Sequence, residues 1–198
     1  MAATALTLCV LYAVAVLGMG GVVQRRRTGV DPWVRAATST EQLANLLVLA
    51  AWLLDLLGPA LVLGDVVEPW FDEPWGHVAG IVICGMSLAA GVAAQQAMGA
   101  SWRTGIDPEH PAALVKSGLF GLVRNPVYTS MIGISLGTWL LAPTAAGALG
   151  FAACVVALEV QTRWVEEPHL RALHGSAYER YAARVGRFVP GVGRIPAP

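Results

Sequence analysis

The stretch VYTSMIGISLGTWLLAPTAAGALGFAACVVALEVQTRW, residues 127–164, contains two apolar runs that meet at one proline. The runs extend from Val127 to Ala142 and from Thr144 to Trp164, so they leave no room for a loop between them. Proline disfavours a helix interior, and two antiparallel helices can be joined by only a few residues. Pro143 therefore predicts the tight turn of a helical hairpin.

Three further apolar runs precede the hairpin, over residues 3–23, 43–63 and 77–98. Each is long enough to cross a bilayer, which takes about 20 residues in a helix. Hydrophobic residues make up 56% of the 198 residues and charged residues only 13%, against roughly 25% charged in soluble domains. We expect an all-α integral membrane protein of about five transmembrane helices. It would form one domain, with N-terminal helices in residues 1–98 and a loop, the hairpin and a short helical tail in residues 99–198.

The basic residues predict the orientation of these helices. All 13 follow or close the first, third or fifth apolar run, whereas the loop from Gly64 to Gly76 carries only acidic charges. Because Lys and Arg favour the cytoplasmic side, we expect the N-terminus outside and residues 99–126 and 165–198 inside. The sequence thus predicts a multi-pass protein of the inner (plasma) membrane with its functional site facing the cytoplasm.

The charge balance and the cysteines narrow the choice of partners. The 13 basic residues equal the 13 acidic residues, which gives no case for nucleic acid binding. Cys9, Cys84 and Cys154 lie inside apolar runs, where we expect them to pack as small hydrophobes rather than to bind metal. No Gly-x-Gly-x-x-Gly fingerprint supports a Rossmann-type cofactor site. The expected partners are the lipid bilayer and a lipophilic small molecule, with no protein partner evident.

A glycine-rich loop leads into the hairpin, with the sequence KSGLFGLVRNPVY at residues 116–128. Glycine lets the backbone approach a ligand closely, and Pro126 near the helix start leaves amide donors for an anion or polar ligand. An ordinary interfacial loop explains the same residues equally well. In that case Arg124 reaches lipid phosphates and Tyr128 belongs to the aromatic belt of the membrane surface.

Charged residues gather where the last apolar run ends. Glu159 and Arg163 are four residues apart, which is the spacing of an ion pair on one helix face. Glu166 and Glu167 repel each other, and either a cationic ligand or a solvated helix start would relieve that repulsion. Asp55, inside the second run, is expected to pack against polar neighbours.

The tail contains the signals of a short helix. Ser176 and Glu179 have the Ser-x-x-Glu spacing of a capping box, and Gly175 before them is suited to end a preceding helix. Tyr178 and Tyr181 would then share one face of the new helix.

Taken together, these residues resemble the isoprenylcysteine carboxyl methyltransferase family and its relatives, the phospholipid methyltransferases. The resemblance covers roughly residues 98–190. It includes Gly118 with Phe120, then Arg124-Asn125-Pro126-Val127-Tyr128, the pair Glu166-Glu167, Tyr178 with Tyr181, and Arg187-Phe188-Val189-Pro190. Phe120 replaces the usual Tyr, Asn125 replaces the more frequent His, and Pro168 directly follows the glutamates.

The resemblance implies an enzyme that uses S-adenosylmethionine and releases S-adenosylhomocysteine, while a lipophilic substrate arrives from the bilayer. It implies Arg124 and Glu167 as catalytic residues. The implied cofactor-binding residues are Lys116, Gly118, Phe120, Val123, Arg124, Asn125, Pro126, Tyr128, Glu166, Glu167, Tyr178 and Tyr181.

The residues themselves suit such a cofactor. Its ammonium needs carboxylates, its carboxylate needs a donor, and its adenine needs aromatic or apolar walls. The arginines near the site favour an acidic acceptor, such as an isoprenoid or fatty carboxylate. Two alternatives stay open, namely an NADPH-dependent membrane reductase and a membrane ligand-binding protein without enzymatic activity.

Overall fold

The computed structural model describes residues 1–29, 33, 36, 38–101 and 113–196. Within these ranges the protein is helical, without a β-sheet. Helices α1 (Ala2–Tyr12) and α2 (Gly20–Thr28) are joined by a π-helical turn, Ala13–Met19. They are followed by α3 (Ser39–Leu63), α4 (Pro74–Met98), α5 (Pro126–Leu141), α6 (Ala145–Val160), α7 (Glu167–His174) and α8 (Ser176–Arg184), with a second π-helical turn, Gln161–Glu166, between α6 and α7.

Four helical stretches in the described ranges are long and apolar enough to cross a membrane: Ala2–Arg26, Ser39–Leu63, Pro74–Met98 and Ala145–His174. The fifth predicted run forms α5, which has only 16 residues and so measures about 24 Å at 1.5 Å per residue. The structure therefore confirms the all-helical membrane architecture, with four helices of full spanning length and α5 as a shorter fifth helix.

Helix α5 is the central helix of the bundle, since it packs against α1, α3, α4 and α6. Glycines bring it close to α4, because a Cβ atom on Gly80 would lie 2.9 Å from the carbonyl oxygen of Gly137. Small residues at such crossings let membrane helices approach without a hydrophobic driving force. The outer faces of α3 and α4 expose large apolar side chains such as Leu46, Leu53 and Met86, which suits contact with lipid.

The polar side chains of α5 are satisfied inside the bundle. Ser135 donates a 2.8 Å hydrogen bond to Asp55 of α3, and the hydroxyls of Ser130 and Tyr12 lie 2.6 Å apart. The prediction that Asp55 packs against polar neighbours is thereby confirmed. The three cysteines are buried and free, as expected.

The predicted hairpin is present, with Ala142–Thr144 between α5 and α6. The carbonyl oxygen of Pro143 accepts a 2.8 Å hydrogen bond from the Trp70 amide, and the side-chain oxygen of Thr144 caps α6 by accepting from Gly147. Trp139 contacts the rings of Trp70 and Phe71 at the same end of the bundle. The residues singled out for function lie at the opposite end, where α5 begins and α6 ends.

The helix caps differ from the prediction in two places. Gly175, with φ +50°, ends α7 as expected, and it is also the N-cap residue of α8. The Ser176 hydroxyl does not cap α8 but accepts a hydrogen bond from Arg180. A capping box is found at α3, where Thr38 and Glu41 bond each other's amides. The predicted box failed because the left-handed glycine displaces Ser176 into the first turn, where its hydroxyl no longer faces the free amides.

Candidate functional site

The glycine-rich loop is joined to the tail by backbone hydrogen bonds. After a 3₁₀ turn at Gly118–Gly121, the Arg124 amide donates to the Gly186 carbonyl at 2.8 Å and the Asn125 amide donates to the Arg187 carbonyl at 3.1 Å. Pro126 then opens α5, as predicted. The tail therefore occupies the two backbone amides that directly precede α5.

Arg124 points inward rather than toward lipid phosphates, with its side chain only 2% exposed. One terminal nitrogen donates to the carbonyls of Ala182 and Val185, at 3.2 and 2.6 Å. The other donates to Glu167 at 2.7 Å and to the Gly193 carbonyl at 3.1 Å. A guanidinium has four N–H donors on its terminal nitrogens, so all four are used by the protein itself.

Arg187 completes a buried ion-pair network around Glu167. Its Nε donates to Glu167 at 2.8 Å and one terminal nitrogen donates to the other carboxylate oxygen at 3.2 Å. The remaining nitrogen lies 3.1 Å from Glu159. Burial lowers the pKa of Arg187, but the hydrogen bond and charge of Glu167, together with Glu159, outweigh it and raise that pKa. We call Arg124, Glu167 and Arg187 the tail clamp, because they fix the tail to the start of α5.

Glu159 also forms the predicted ion pair with Arg163, and the Arg163 side chain is exposed at the surface of the bundle. The sequence suggested this pair from spacing alone, and the structure confirms it. Arg187 was not among the predicted site residues, and its contact with Glu159 joins the surface pair to the tail clamp.

Glu166 lies in different surroundings from Glu167. Its carboxylate accepts a short hydrogen bond from the Tyr128 hydroxyl, and the buried Gln161 side chain interacts with both groups. We call Tyr128, Gln161 and Glu166 the Glu166 cluster. Neither glutamate sits at a solvated helix start, since α6 continues through the π-helical turn into α7 without a break. Sequence reasoning missed Gln161, although a glutamine at the end of an apolar run was a visible signal.

Tyr178 and Tyr181 share the buried face of α8, as predicted, with ring centroids 6.3 Å apart. The Tyr181 hydroxyl donates to the Phe120 carbonyl at 2.6 Å, which ties α8 to the glycine-rich loop. Burial raises the pKa of each tyrosine to about 12, and the nearby Glu167 charge adds to the effect at Tyr178. Both rings are therefore packed beneath the tail clamp.

The other predicted site residues lie around this core. Phe120 and Val123 are buried, Asn125 is half-buried, and Lys116 and Gly118 are exposed. Val123 pairs with Gly186 as an isolated β-bridge. The structure thus gathers the predicted residues of the loop, the glutamate pair and the tail at one end of the bundle, with Lys116 at its edge. Part of the segment before Lys116, residues 102–112, lies outside the described residues.

The profile of the phospholipid methyltransferase family matches residues 75–177, more than half of the chain. The chain belongs to this family. The match begins in α4 and includes the glycine-rich loop, the hairpin and both glutamates, so the family signal reaches further toward the N-terminus than the motifs showed. No curated protein matches the chain significantly.

Among solved structures, the chain is similar to a eukaryotic intramembrane Ras methyltransferase, isoprenylcysteine carboxyl methyltransferase. The two share 18% sequence identity with a TM-score of 0.62, so the likeness is one of fold. It covers 94% of this chain and 64% of that protein, which means that this chain spans less than two thirds of its length.

Proposed function

We propose that this member of the phospholipid methyltransferase family transfers a methyl group from S-adenosylmethionine to a small lipophilic acceptor. The observation that carries the proposal is the Glu166 cluster, which brings the Arg-Asn-Pro-x-Tyr loop and the glutamate pair together inside the family match. The family match supports neither the NADPH-dependent reductase nor the non-enzymatic binding protein.

The residues of the cluster fit this cofactor. When bound, S-adenosylmethionine supplies a methyl group on a sulfonium sulfur. Glu166 would hold its ammonium group, since no Arg or Lys in the described part of the chain pairs with this carboxylate. The ring of Tyr128 would offer an aromatic surface, and Asn125 before it a polar side chain.

Arg124 and Glu167 are assigned here as positioning residues. The terminal nitrogens of Arg124 already bond to three carbonyls and Glu167, so they leave no free fork for a carboxylate. Because the same network holds residues 124 and 167 in place, it fixes the positions of Tyr128 and Glu166 beside them. In-line methyl transfer depends on such positioning more than on acid or base catalysis.

The acceptor is proposed as lipophilic, because the site lies at one end of helices whose outer faces are apolar. The sequence favoured an acidic acceptor on account of its arginines. Arg124 and Arg187 bind Glu167 instead, so they no longer argue for a carboxylate over an amine. Both classes of acceptor therefore belong in an activity screen.

We further propose that the site faces the cytoplasm from the plasma membrane, in agreement with the distribution of basic residues. Reporter fusions at Glu68 and at Pro198 should lie in opposite compartments. Finding both reporters on the same side would contradict this orientation.

Calorimetry on the purified protein in phosphatidylcholine nanodiscs tests the proposed cofactor. S-Adenosylhomocysteine should bind and NADPH should not. Saturable binding of NADPH without S-adenosylhomocysteine would support the reductase instead, and binding of neither compound would support a protein without this enzymatic activity.

A further inference from the structure

The first turn of α5 is held by three different parts of the chain. Tyr128 donates its hydroxyl to Glu166 in the π-helical turn after α6, and Thr129 donates its hydroxyl to the Phe188 carbonyl of the tail at 2.8 Å. The next residue, Ser130, contacts α1. Because successive side chains of an α-helix point about 100° apart, these three contacts surround the turn. Together they fix its rotation about the helix axis.

The contact with α1 is made by Tyr12. The hydroxyls of Tyr12 and Ser130 lie 2.6 Å apart, and Ser130 donates its hydrogen to the Val127 carbonyl at 2.6 Å. A serine hydroxyl has one hydrogen, so Tyr12 is the donor to Ser130. The Tyr12 hydroxyl also lies 3.5 Å from the Val127 carbonyl. Tyr12 thus closes a small hydrogen-bond network at the residue directly before Tyr128.

The neighbours of Tyr12 hold its hydroxyl in this place. The side chain is completely buried, and its ring stacks on Trp52 of α3 with the ring centroids 5.9 Å apart. Gly91 of α4 leaves the space in which α1 meets α5, since a Cβ atom there would lie 2.9 Å from the Ser130 hydroxyl oxygen and 3.2 Å from the Tyr12 ring. Tyr12 is therefore held between α3, α4 and α5.

This placement connects the N-terminal helix with the candidate site. The family match begins at residue 75, so α1 lies outside it. Rotation of the first turn of α5 would move the Tyr128 hydroxyl away from Glu166, and the bond between Tyr12 and Ser130 opposes that rotation. Hydrogen bonds between membrane helices stabilise one arrangement of the helices over others. Methyl transfer in turn depends on the positions of the groups around the reacting atoms.

We propose that Tyr12 is a positioning residue of the methyl-transfer site, which holds the first turn of α5 so that Tyr128 faces Glu166. Its effect on the site passes through Ser130 and the Val127 carbonyl. The inference rests on the proposed function, because that function defines the site. It makes α1 part of the functional unit.

The test compares wild type with Tyr12→Phe in phosphatidylcholine nanodiscs. The variant keeps the ring that stacks on Trp52 and loses the hydroxyl alone. Calorimetry gives the affinity for S-adenosylhomocysteine, and hydrogen exchange gives the protection of the backbone amides of residues 129–131. Gln95→Leu is the matched control, because it removes another buried hydrogen bond of the N-terminal helix, from Gln95 Nε2 to the Val16 carbonyl at 2.6 Å.

Tyr12→Phe should weaken binding of S-adenosylhomocysteine about threefold to tenfold, which is the effect of one hydrogen bond, and it should speed exchange in residues 129–131. Gln95→Leu should lower the unfolding midpoint but leave the affinity and this exchange at wild-type values. If Tyr12 served stability alone, its variant would show the same pattern as the control.

Wild-type affinity in a folded Tyr12→Phe variant would overturn the inference. If that variant does not fold, Ser130→Ala removes the same contact from the side of α5 and is judged by the same two measurements. A wild-type protein that binds no S-adenosylhomocysteine would refute the proposed cofactor. Exchange in residues 129–131 would then decide whether Tyr12 holds the turn, and unchanged exchange in Tyr12→Phe would show that it does not.

Discussion

Glu166 and Glu167 are consecutive residues, yet they belong to two regions with different chemistry. Glu167 is held between two arginines in the tail clamp, with each of its oxygens hydrogen-bonded. Glu166 accepts a hydrogen bond from the uncharged Tyr128, and no Arg or Lys pairs with it in the part of the chain that the structure describes. One carboxylate is therefore matched by two cations inside the protein, while its neighbour pairs with no cation among the described residues.

We therefore expect Glu167 to contribute mainly to the stability of the fold and its neighbour Glu166 mainly to ligand binding. A buried charge that loses its partner is costly, because water no longer solvates it. A carboxylate without a cation contributes less to the fold and more to the attraction of a cationic ligand. Substitutions at these positions and at their partners test that division.

Glu167→Gln should destabilise the protein by about 3–5 kcal/mol, because two buried arginines would lose their counter-charge. Thermal unfolding in detergent measures the loss, which should lower the midpoint by about 10 °C or more. Glu68→Gln, in the acidic loop at the other end of the bundle, serves as control and should unfold like wild type. A Glu167→Gln midpoint equal to that of the control would show that the tail clamp does not stabilise the tail.

Glu166→Gln should leave the unfolding midpoint nearly unchanged and weaken binding of S-adenosylhomocysteine roughly tenfold to a hundredfold. The reason is the loss of one charge-assisted hydrogen bond, worth about 1.5–3 kcal/mol. Calorimetry in nanodiscs gives the affinity. Equal affinities for variant and wild type would remove Glu166 from the cofactor site.

Tyr178 and Tyr181 should ionise only near pH 12, where an exposed tyrosine ionises near pH 10. Since folding raises both pKa values, their contribution to stability is complete below about pH 10 and disappears as the pH rises toward 12. Phenolate absorbance during alkaline titration of the folded protein measures this, with Tyr178→Phe and Tyr181→Phe assigning the two signals. Phenolate absorbance from either residue at pH 10, before unfolding, would contradict the packing of α8.

Arg163→Ala should have the smallest effect, less than about 1 kcal/mol, because its ion pair with Glu159 is exposed to solvent. Arg187→Ala removes the other partner of Glu159 and should cost several times more, since its side chain is buried. Thermal unfolding of the two variants side by side gives the comparison. Similar losses of stability in the two variants would mean that the burial of Arg187 does not make its ion pairs more important for stability.

The sequence predicted the helices well because each needs only local information. Apolar length predicted the spans, and Pro143 predicted the hairpin turn. The ion pair between Glu159 and Arg163 followed from helical spacing. The same local signals gave the end of α7 at Gly175.

The hydrogen-bond partners of Arg124 could not be predicted in this way. The arginine is 43 residues from Glu167 and 69 from Gly193, and only the packing of α5 against the tail brings these groups together. The π-helical turn at Gln161 was also invisible, because no residue type marks the insertion of a wider turn. The failed capping box at Ser176 has a similar cause, since spacing does not reveal the left-handed conformation of Gly175.

The bonds of Arg124 have a consequence for biosynthesis. The helices can enter the membrane one after another as the ribosome extends the chain, but Arg124 waits for the carbonyls of Ala182, Val185 and Gly193. Until residue 193 has been translated, Arg124 lacks the last of its four acceptors. A ribosome that stalls between Glu167 and Gly193 would therefore leave the helices of the bundle complete while Arg124 lacks part of its hydrogen bonds.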